Sequence, residues 1–361
     1  MTTLLEFINA RRVRKGQIWN VTGMAKNDKG IYNVVEGEYD EFLRLYYDWV
    51  FVKGNKSALL ERHTEYSPIL IDLDFKYAKN SGLKRRFTMK NVATFIGLYM
   101  EVFDSFVSIS GALRFFVMLK SGPRVEKGLI RDGIHIVCPD VALPASIMIA
   151  IRLILLEQGA IEACFDGLVN NSADAFDESV IERNNWFFYG AGKPDAGVYN
   201  VVACFHCSGT AVEEERLGLN NMELVKLLSI RRQDASEYTI KQDKKDVWLM
   251  WEKALKSGSD MDTDGDSVDV DSAKISSILR VEDSGTWRVT LCGTGYKLLF
   301  SNRLCLVNSD VVHSTWAHSC IFVNSDGATA CCFSHWKMTL VEEGLALWRF
   351  LSGFDECLIN F

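Results

Sequence analysis

Apolar and polar positions alternate along the chain in patterns that predict both strands and helices. Residues 69–77 (ILIDLDFKY) form a short aliphatic, β-branched run after a Ser-Pro turn signal, which is the pattern of a buried strand. Residues 88–109 place apolar side chains at helical spacing and predict a long amphipathic helix. Together these elements indicate an α/β or α+β core with helices packed on a sheet. Further strands are predicted at 113–119, 133–138, 184–190 and 198–205, and further helices at 144–157, 221–229 and 246–256.

The composition is that of an ordinary soluble globular protein. Of the 361 residues, 48% are hydrophobic and 24% are charged. We expect no membrane association, because no apolar run reaches the length that spans a bilayer. The N-terminal residues lack the apolar core and the cleavage site of a secretion signal. We therefore expect an intracellular protein whose ten cysteines are reduced or bind metal.

The formal net charge of −7 comes mainly from one acidic tract. Six aspartates between residues 260 and 271 contribute −6, and this tract contains no Lys or Arg. The rest of the chain is nearly neutral and carries local basic runs, a distribution that does not exclude a phosphate-rich partner. The tract predicts a solvated linker. Because Asp260, Asp262 and Asp264 follow the spacing of a calcium-binding loop, a calcium site is the alternative.

Two aspartates interrupt the predicted strand at 69–77. Asp72 and Asp74 are separated by one residue, and residues two apart on a strand point to the same face. Two like charges placed so close are unfavourable unless a cation lies between them. Carboxylate oxygens are hard ligands and favour Mg²⁺ or Mn²⁺. The alternative is a strand end whose acids simply face water.

Three further stretches add polar residues that can serve the same chemistry. They are RDGIH (131–135), AFDESVIERNNW, which contains Asp177, and WFFYGAGKPD, which contains Lys193. In this order with ILIDLDF, they resemble the archaeo-eukaryotic primase superfamily. The closest resemblance is to the branch found in large DNA viruses as primase-helicase proteins. It covers roughly residues 60–235.

The resemblance implies an α+β fold with an RRM-like mixed sheet and a nucleotidyltransferase activity. Joining a nucleotide to a 3′-hydroxyl uses two divalent ions about 4 Å apart. Asp72, Asp74 and, as the family's third ligand, Asp177 are the residues implied to hold Mg²⁺ or Mn²⁺. Asp177 lies in a stretch with several other acids and could instead be a helix N-cap.

The resemblance also implies a pocket for the triphosphate of a nucleotide. His135 corresponds to the family's nucleotide-binding histidine, although a lone strand histidine is usually structural. The family often has Ser two residues earlier, where this chain has Gly133. Lys193 follows three small residues, whose permissive backbone would bring its cation close to phosphates; a surface lysine in a glycine turn is the alternative. Arg131 and Arg183 are further candidates for this pocket.

Cysteine and histidine are concentrated near the C-terminus. Six of the ten cysteines and three of the six histidines follow residue 290. Two ligand pairs flanking a strand-like run predict a tetrahedral zinc ribbon, similar to the zinc module of herpesviral primases and eukaryotic primase-polymerases. His318 and Cys320 compete as ligands, and free buried cysteines are the alternative. The candidate Zn²⁺ ligands are Cys305, His313, Cys331 or Cys332, and His335.

These observations predict three parts. They are a catalytic core with an N-terminal extension at 1–240, a helix and acidic linker at 241–275, and a zinc-ribbon-like domain at 276–361. The expected function is primer synthesis from nucleoside triphosphates on a single-stranded DNA template, by a primase or primase-polymerase. The alternative is a non-catalytic protein that binds single-stranded nucleic acid or acts as a replication scaffold.

The sequence contains no G-x-x-x-x-G-K-[ST] phosphate loop, although the viral branch usually continues into a helicase. We therefore expect a replicative helicase as a partner, either fused in a longer chain or separate. A viral protein of this kind would act in the host cytoplasm or nucleus.

Overall fold

The computed structural model describes two compact units. The first comprises residues 1–155 and 159–239, and the second comprises residues 156–158 and 240–361. The described residues are 2–120, 122–193, 197–231, 237–245, 267–268, 271–280, 287–292, 295–300, 307, 319–324, 327–332, 337–341, 347 and 351.

The first 240 residues contain eight described α-helices and twelve described strands. The helices are α1 (Leu4–Asn9), α2 (Tyr39–Tyr47), α3 (Met89–Phe106), α4 (Ala145–Glu157), α5 (Ala160–Cys164), α6 (Ser172–Ala175), α7 (Ser179–Glu182) and α8 (Asn221–Leu227). The strands are β1 (Val21–Gly23), β2 (Gly30–Tyr32), β3 (Leu59–Glu61), β4 (Tyr66–Ala78), β5 (Val107–Ile109), β6 (Leu113–Leu119), β7 (Arg124–Glu126), β8 (Leu129–Pro144), β9 (Trp186–Phe187), β10 (Asn200–Ser208), β11 (Ala211–Glu215) and β12 (Tyr238–Ile240).

The central sheet has the strand order β11-β10-β6-β8-β4, and β7 pairs with β8. Its two longest strands, β4 and β8, lie side by side from Tyr66 opposite Pro144 to Ala78 opposite Leu129. All pairings in this sheet are antiparallel. The α+β class is confirmed, whereas the expected mixed sheet is antiparallel here. Strand β8 extends beyond the predicted 133–138 because β4 supplies it with partners along its whole length.

Helix α3 covers one face of the first unit as its spacing predicts. Thr88 and Asn91 form a capping box that fixes its first turn. Phe95, Ile96 and Phe103 are fully buried, and burying each such side chain contributes about 1.5–3 kcal/mol. The helix ends at Phe106 rather than at residue 109, because the last three residues, which include β-branched Val107 and Ile109, form β5.

A second, smaller sheet has the order β2-β1-β3-β9. The predicted strand at 184–190 is reduced to the two residues of β9, which pair with β3. The side chain of Glu61 on β3 is fully buried and accepts hydrogen bonds from Ser229 Oγ (2.6 Å), from Ile230 N (2.9 Å) and from the Tyr39 hydroxyl. Burial raises the pKa of Glu61. This sheet fixes the position of Trp186, the cross-strand partner of Glu61.

The second unit contains a six-stranded antiparallel meander whose neighbours follow chain order. Its core includes Trp287, Val289, Leu298, Ile321 and Val323. The elements are β13 (Ser267–Val268), α9 (Ser272–Ile278), β14 (Trp287–Cys292), β15 (Gly295–Phe300), β16 (Ser319–Asn324), β17 (Gly327–Cys332) and β18 (Lys337–Val341).

The zinc ribbon stays a prediction. Cys305, His313 and His335, and the competitor His318, lie outside the described residues. Cys331 and Cys332 end β17, where their backbones pair with Cys320 and Ser319 of β16.

The predicted helix at 246–256 and most of the acidic tract also lie outside the described residues. Asp271, at the end of the tract, accepts hydrogen bonds from Ala273 N (3.0 Å) and Lys274 N (3.1 Å) and so caps α9. None of the helices in the described ranges is long and apolar enough to cross a membrane.

Candidate active site

The two aspartates of β4 lie on one face of the central sheet together with His135. Asp72 pairs directly with His135 of β8, and Asp74 pairs with Gly133. Directly opposed residues on neighbouring strands point to the same face. Leu73 and Phe75 alternate with the acids and are buried on the other face. The strand therefore presents both carboxylates to one side, as its pattern predicts.

Asp72 is a buried acid with an incomplete set of partners. Its Oδ1 lies 3.4 Å from His135 Nε2, within ion-pair range if the imidazole is protonated. This oxygen accepts no hydrogen bond from the described residues, and it is also shielded from solvent. A buried acceptor without a donor carries a free-energy cost, so this oxygen favours an additional proton donor or cation.

Asp74 lies at the mouth of the site. Its side chain is exposed, yet the protein around it removes part of its hydration, and this partial desolvation is the main cause that raises the pKa of its carboxyl. The negative charge of Asp72 raises the same pKa further, and that of Asp177 adds to it. His135 and Lys120 oppose this effect. Desolvation and the neighbouring carboxylates together therefore disfavour the ionised form of Asp74.

Asp177 reaches the acid pair because its segment adds to the free edge of β4. Its backbone N donates to the Asp72 carbonyl oxygen at 3.0 Å, and Phe176 forms an antiparallel bridge with Leu73. The carboxylate itself accepts from Ser179 N (2.9 Å) and Ser179 Oγ (2.8 Å), before α7. Asp177, about a hundred residues away in sequence, is thus bonded to β4 beside Asp72, and its charge acts on Asp74. The N-cap of α7 is Glu178 rather than Asp177.

His135 is enclosed by aromatic rings that the sequence did not single out. The ring of Tyr199 stacks on the imidazole, with centroids 3.5 Å apart and planes 16° apart. Trp186 lies against the imidazole at 4.6 Å. Lys120 Nζ lies 4.6 Å from the centroid of the Tyr199 ring. These contacts fix the orientation of the imidazole and remove water from around it.

Gly133 lies close to the backbone of β4. A Cβ atom at Gly133 would lie 2.9 Å from the Leu73 carbonyl oxygen, 3.4 Å from Asp74 Oδ1 and 3.5 Å from Tyr199 Oη. A serine at this position, as the family often has, would therefore be too close to the Leu73 carbonyl oxygen, whereas the Tyr199 hydroxyl lies at ordinary contact distance.

A group of cations borders the acid pair. Burial lowers the pKa of Lys120, and the positive charges of Arg124 and Lys193 lower it further, while Asp74 and Asp72 raise it. Lys193 is exposed and close enough to Lys120 for their charges to interact. The structure thus brings Lys193 to the site. Lys120 was missed as an individual candidate, although it opens a basic run in the sequence.

The two arginine candidates have different surroundings. Arg131 alternates with Gly133 and His135 on β8, so it belongs to the same face, and its Nε lies 3.7 Å from Glu126 Oε1. Arg183 is 70% exposed and pairs with Glu178 at 3.6 Å. Within the described part of the chain, no contact joins Arg183 to His135 or Lys193. Arg183 therefore lies beside the Asp177 segment rather than in the cation group.

The donor set fits a divalent cation, but the ligands are not assembled around one point. No group of three or more His, Cys, Asp or Glu side chains that could hold a metal ion occurs in the described ranges. A bound divalent cation would satisfy the unpartnered oxygen of Asp72 and would favour the ionised form of Asp74. Asp177 would become the third ligand if its carboxylate gave up the hydrogen bonds from Ser179 and bound the ion instead.

Comparison with known proteins places this site in a family. The family model described as C962R protein N-terminal AEP domain, for archaeo-eukaryotic primase, matches residues 22–205. The match covers more than half of the chain and includes β4, His135 and Asp177. The chain belongs to this archaeo-eukaryotic primase family. Its members form a primase-like nucleotidyltransferase family, so the superfamily indicated by the four sequence motifs is confirmed.

A viral relative supports the same assignment. "Putative helicase L207/L206" of Acanthamoeba polyphaga mimivirus is 32% identical to the chain over 180 residues. The aligned part is 49% of this chain and 18% of the viral protein. The chain therefore spans less than a fifth of this relative's length. The resemblance to the primase-helicase proteins of large DNA viruses is confirmed.

Proposed function

We propose that this chain is a DNA-templated nucleotidyltransferase, a primase or primase-polymerase that joins nucleoside triphosphates on single-stranded DNA. The observation that carries the proposal is that Asp72 and Asp74 share a face with His135, while the segment of Asp177 is bonded to the Asp72 backbone. Polymerisation needs carboxylates for metal and cations for a triphosphate within one site. The acid group and the bordering cations, Lys120 and Lys193, meet both needs.

The three aspartates would hold Mg²⁺ or Mn²⁺. When bound, a pair of such ions would activate the attacking 3′-oxygen and neutralise the charge that develops on the leaving pyrophosphate. Asp72 supplies the buried oxygen that lacks a hydrogen-bond partner, and Asp74 supplies a carboxylate at the mouth of the site. Metal binding would favour the ionised form of Asp74, because it offsets the charge that raises the pKa of this group.

The remaining side chains would bind and orient the nucleotide. His135, whose Nε2 lies 3.4 Å from Asp72 Oδ1, would contact the triphosphate of the nucleotide. Lys120 and Lys193 would neutralise phosphate oxygens as point charges. Trp186 and Tyr199 enclose the imidazole and limit water around it. Exclusion of water strengthens each of these electrostatic contacts.

The direct test is incorporation of labelled nucleotides on single-stranded DNA with Mn²⁺ or Mg²⁺. The double variant Asp72→Asn, Asp74→Asn keeps the shape of both side chains and removes both charges. We expect synthesis to fall by more than about a hundredfold, since even outer-shell partners of a metal site are worth 10- to 100-fold. Asp140→Asn, at an acid paired with Arg114 instead, is the control and should retain synthesis. Synthesis that survives the double substitution would refute the proposal.

One observation favours a non-catalytic binding protein as the second candidate. Both oxygens of Asp177 are engaged by Ser179, and no complete metal-ligand group exists in the described residues. Binding of single-stranded DNA that does not depend on metal, with no synthesis from ribonucleoside or deoxyribonucleoside triphosphates, would support this candidate. Metal-dependent binding of a nucleoside triphosphate would oppose it.

The C-terminal zinc site and the helicase partner belong to the same proposal. Zn²⁺ would be bound by Cys305, His313, Cys331 or Cys332, and His335, in a domain that follows the catalytic core. One equivalent of zinc in the purified protein, lost in a Cys305→Ser variant, is the expected result. The relative's name supports a helicase as partner. Co-purification with a replicative helicase from infected cells would test that association.

A further inference from the structure

Helix α4 contains one buried charge among apolar residues. Arg152 is 5% exposed, and its neighbours Ile151, Ile154 and Leu155 are buried hydrophobic residues. Burying a guanidinium is costly unless its donors are satisfied. Burial lowers the pKa of Arg152, and the charges of Glu178 and Asp177 oppose this shift. The sequence offers no reason for an arginine at this position of a core helix.

All three acceptors of Arg152 lie on the segment that carries Asp177. Nε donates to the Phe176 carbonyl at 2.7 Å, and Nη2 donates to the Ala173 carbonyl at 2.9 Å. Nη1 pairs with Glu178 Oε2 at 2.9 Å. The guanidinium therefore binds on both sides of Asp177, at the residue before it and at the residue after it.

The same segment is attached to β4 at separate points. Asn170 accepts from Lys76 N at 3.0 Å and donates to the Asp74 carbonyl at 2.9 Å. Asp177 N donates to the Asp72 carbonyl at 3.0 Å. Between them, α6 is a four-residue helix, too short to hold its own conformation in isolation. Asn170 thus fixes the start of the segment, and Arg152 is the side chain that fixes its end.

We propose that Arg152 is a positioning residue that holds the Asp177 backbone against β4, so that this carboxylate can act with Asp72 and Asp74 on a divalent cation. The inference rests on the proposed function, because it takes the segment that carries Asp177 to bind metal. With the backbone held, the Asp177 side chain can leave Ser179 for a metal ion while the chain on either side stays in place. Arg152 touches neither metal nor substrate and acts only through the segment.

The test uses the full chain with Arg152→Lys and Arg152→Gln. Lysine keeps the charge but cannot reach three separate acceptors, and glutamine removes the charge. Arg114→Lys is the matched control, because the Arg114 guanidinium donates two hydrogen bonds to Asp140 (2.6 and 3.1 Å) on another part of the sheet. Glu178→Gln is the milder variant if substitution of Arg152 prevents folding, since it retains both carbonyl contacts.

Two measurements separate a positioning role from general stability. Hydrogen exchange of the Asp177 amide, which is bonded to Asp72, should become at least about tenfold faster in the Arg152 variants than in the Arg114 control. Mn²⁺ binding, followed by the electron paramagnetic resonance of free Mn²⁺, should weaken by about 10- to 100-fold. Glu178→Gln should shift both values in the same direction by less.

The outcomes distinguish this inference from the proposed function. If the wild type binds Mn²⁺ through Asp72 but the Arg152 variants bind it equally well, the positioning role is wrong and the proposed function stands. If the wild type binds no Mn²⁺, the metal-dependent function fails. The positioning role of Arg152 would then be refuted as well, because it serves metal binding, whatever the exchange rates are. Equal exchange of the Asp177 amide in the Arg152 and Arg114 variants would also overturn the inference.

Discussion

Two aspartates on neighbouring strands of one sheet have opposite surroundings. Asp132 on β8 is buried and accepts two hydrogen bonds from Arg85, at 2.9 and 3.2 Å, and a third from Gly133 N at 3.0 Å. Asp72 on β4 is also buried, but one of its oxygens has no hydrogen-bond partner. The first carboxylate is satisfied by the fold alone. The second carboxylate keeps one oxygen without a hydrogen-bond donor among the described residues. This is expected of an acid that binds a ligand rather than of one that stabilises the fold.

The two acids also face different sides of the sheet. Asp132 pairs with Phe75 and shares its face, whereas Asp72 pairs with His135 and lies with the cation group. Arg85 additionally donates to the Lys120 carbonyl at 2.9 Å, so the structural pair holds the backbone of a residue that borders the site. The comparison predicts that Asp132 contributes to stability and Asp72 to function.

The largest effect on stability is expected at the structural acid. Asp132→Ala leaves the Arg85 guanidinium without its carboxylate and should lower the free energy of unfolding by about 3–5 kcal/mol. Urea denaturation followed by circular dichroism measures this loss. Asp72→Asn removes a charge that lacks a full partner set and should leave the unfolding free energy nearly unchanged. Equal destabilisation by the two substitutions would contradict the distinction between the acids.

A smaller effect is expected from the ring that covers His135. Tyr199→Leu removes a stacked aromatic pair worth about 0.5–1.5 kcal/mol. This loss should raise the KM for the nucleoside triphosphate by about two- to tenfold, because the imidazole is no longer held in one orientation. Tyr199→Phe keeps the ring and is the control for stacking. An equal rise in KM for Phe and for Leu would mean that the hydroxyl, not the ring, is the important group.

The smallest effect is a change in how stability depends on pH. The folded-state pKa of Asp74 is raised above its ordinary value of 3.8, first by desolvation and then by Asp72. The folded state therefore binds this proton more tightly than the unfolded state, so stability is greatest below the ordinary pKa and falls as pH rises through the folded value. Asp74→Asn should flatten this decline as the pH rises above the ordinary pKa of 3.8, measured in thermal melts. An unchanged dependence of stability on pH would show that folding does not raise the pKa of Asp74.

The sequence predicted the regular core better than the irregular parts. Strand β6 has the bounds that its apolar run gave, and α4 begins within one residue of its prediction. These elements are continuous, and their own side-chain periodicity determines them. The strand at 184–190 failed because only two of its residues find a partner in β3. Pairing with a strand far away in the chain cannot be seen in local periodicity.

In the candidate site, too, local features could be predicted from the sequence and long-range contacts could not. Asp72 and Asp74 could be predicted to share a face, since alternation along a strand is a local property. Lys193 and Asp177 were proposed from motif order. The charge of Asp177 acts on Asp74 and that of Lys193 acts on Lys120, and both proximities depend on the packing of distant segments. Tyr199 and Arg152 carried no signal, because a tyrosine after a glycine turn and an arginine in an apolar helix acquire meaning only through what they contact.

By itself, the sequence determined the α+β class, the two-acid strand and the order of motifs that assigns the family. Only the tertiary structure decided that the third acid lies on the edge of β4, that Tyr199 stacks on His135, and that a buried arginine binds the Asp177 segment. Periodicity and propensity act over a few residues, so they fix elements and faces. Contacts across a hundred residues arise from packing, where the free energy depends on which surfaces fit together.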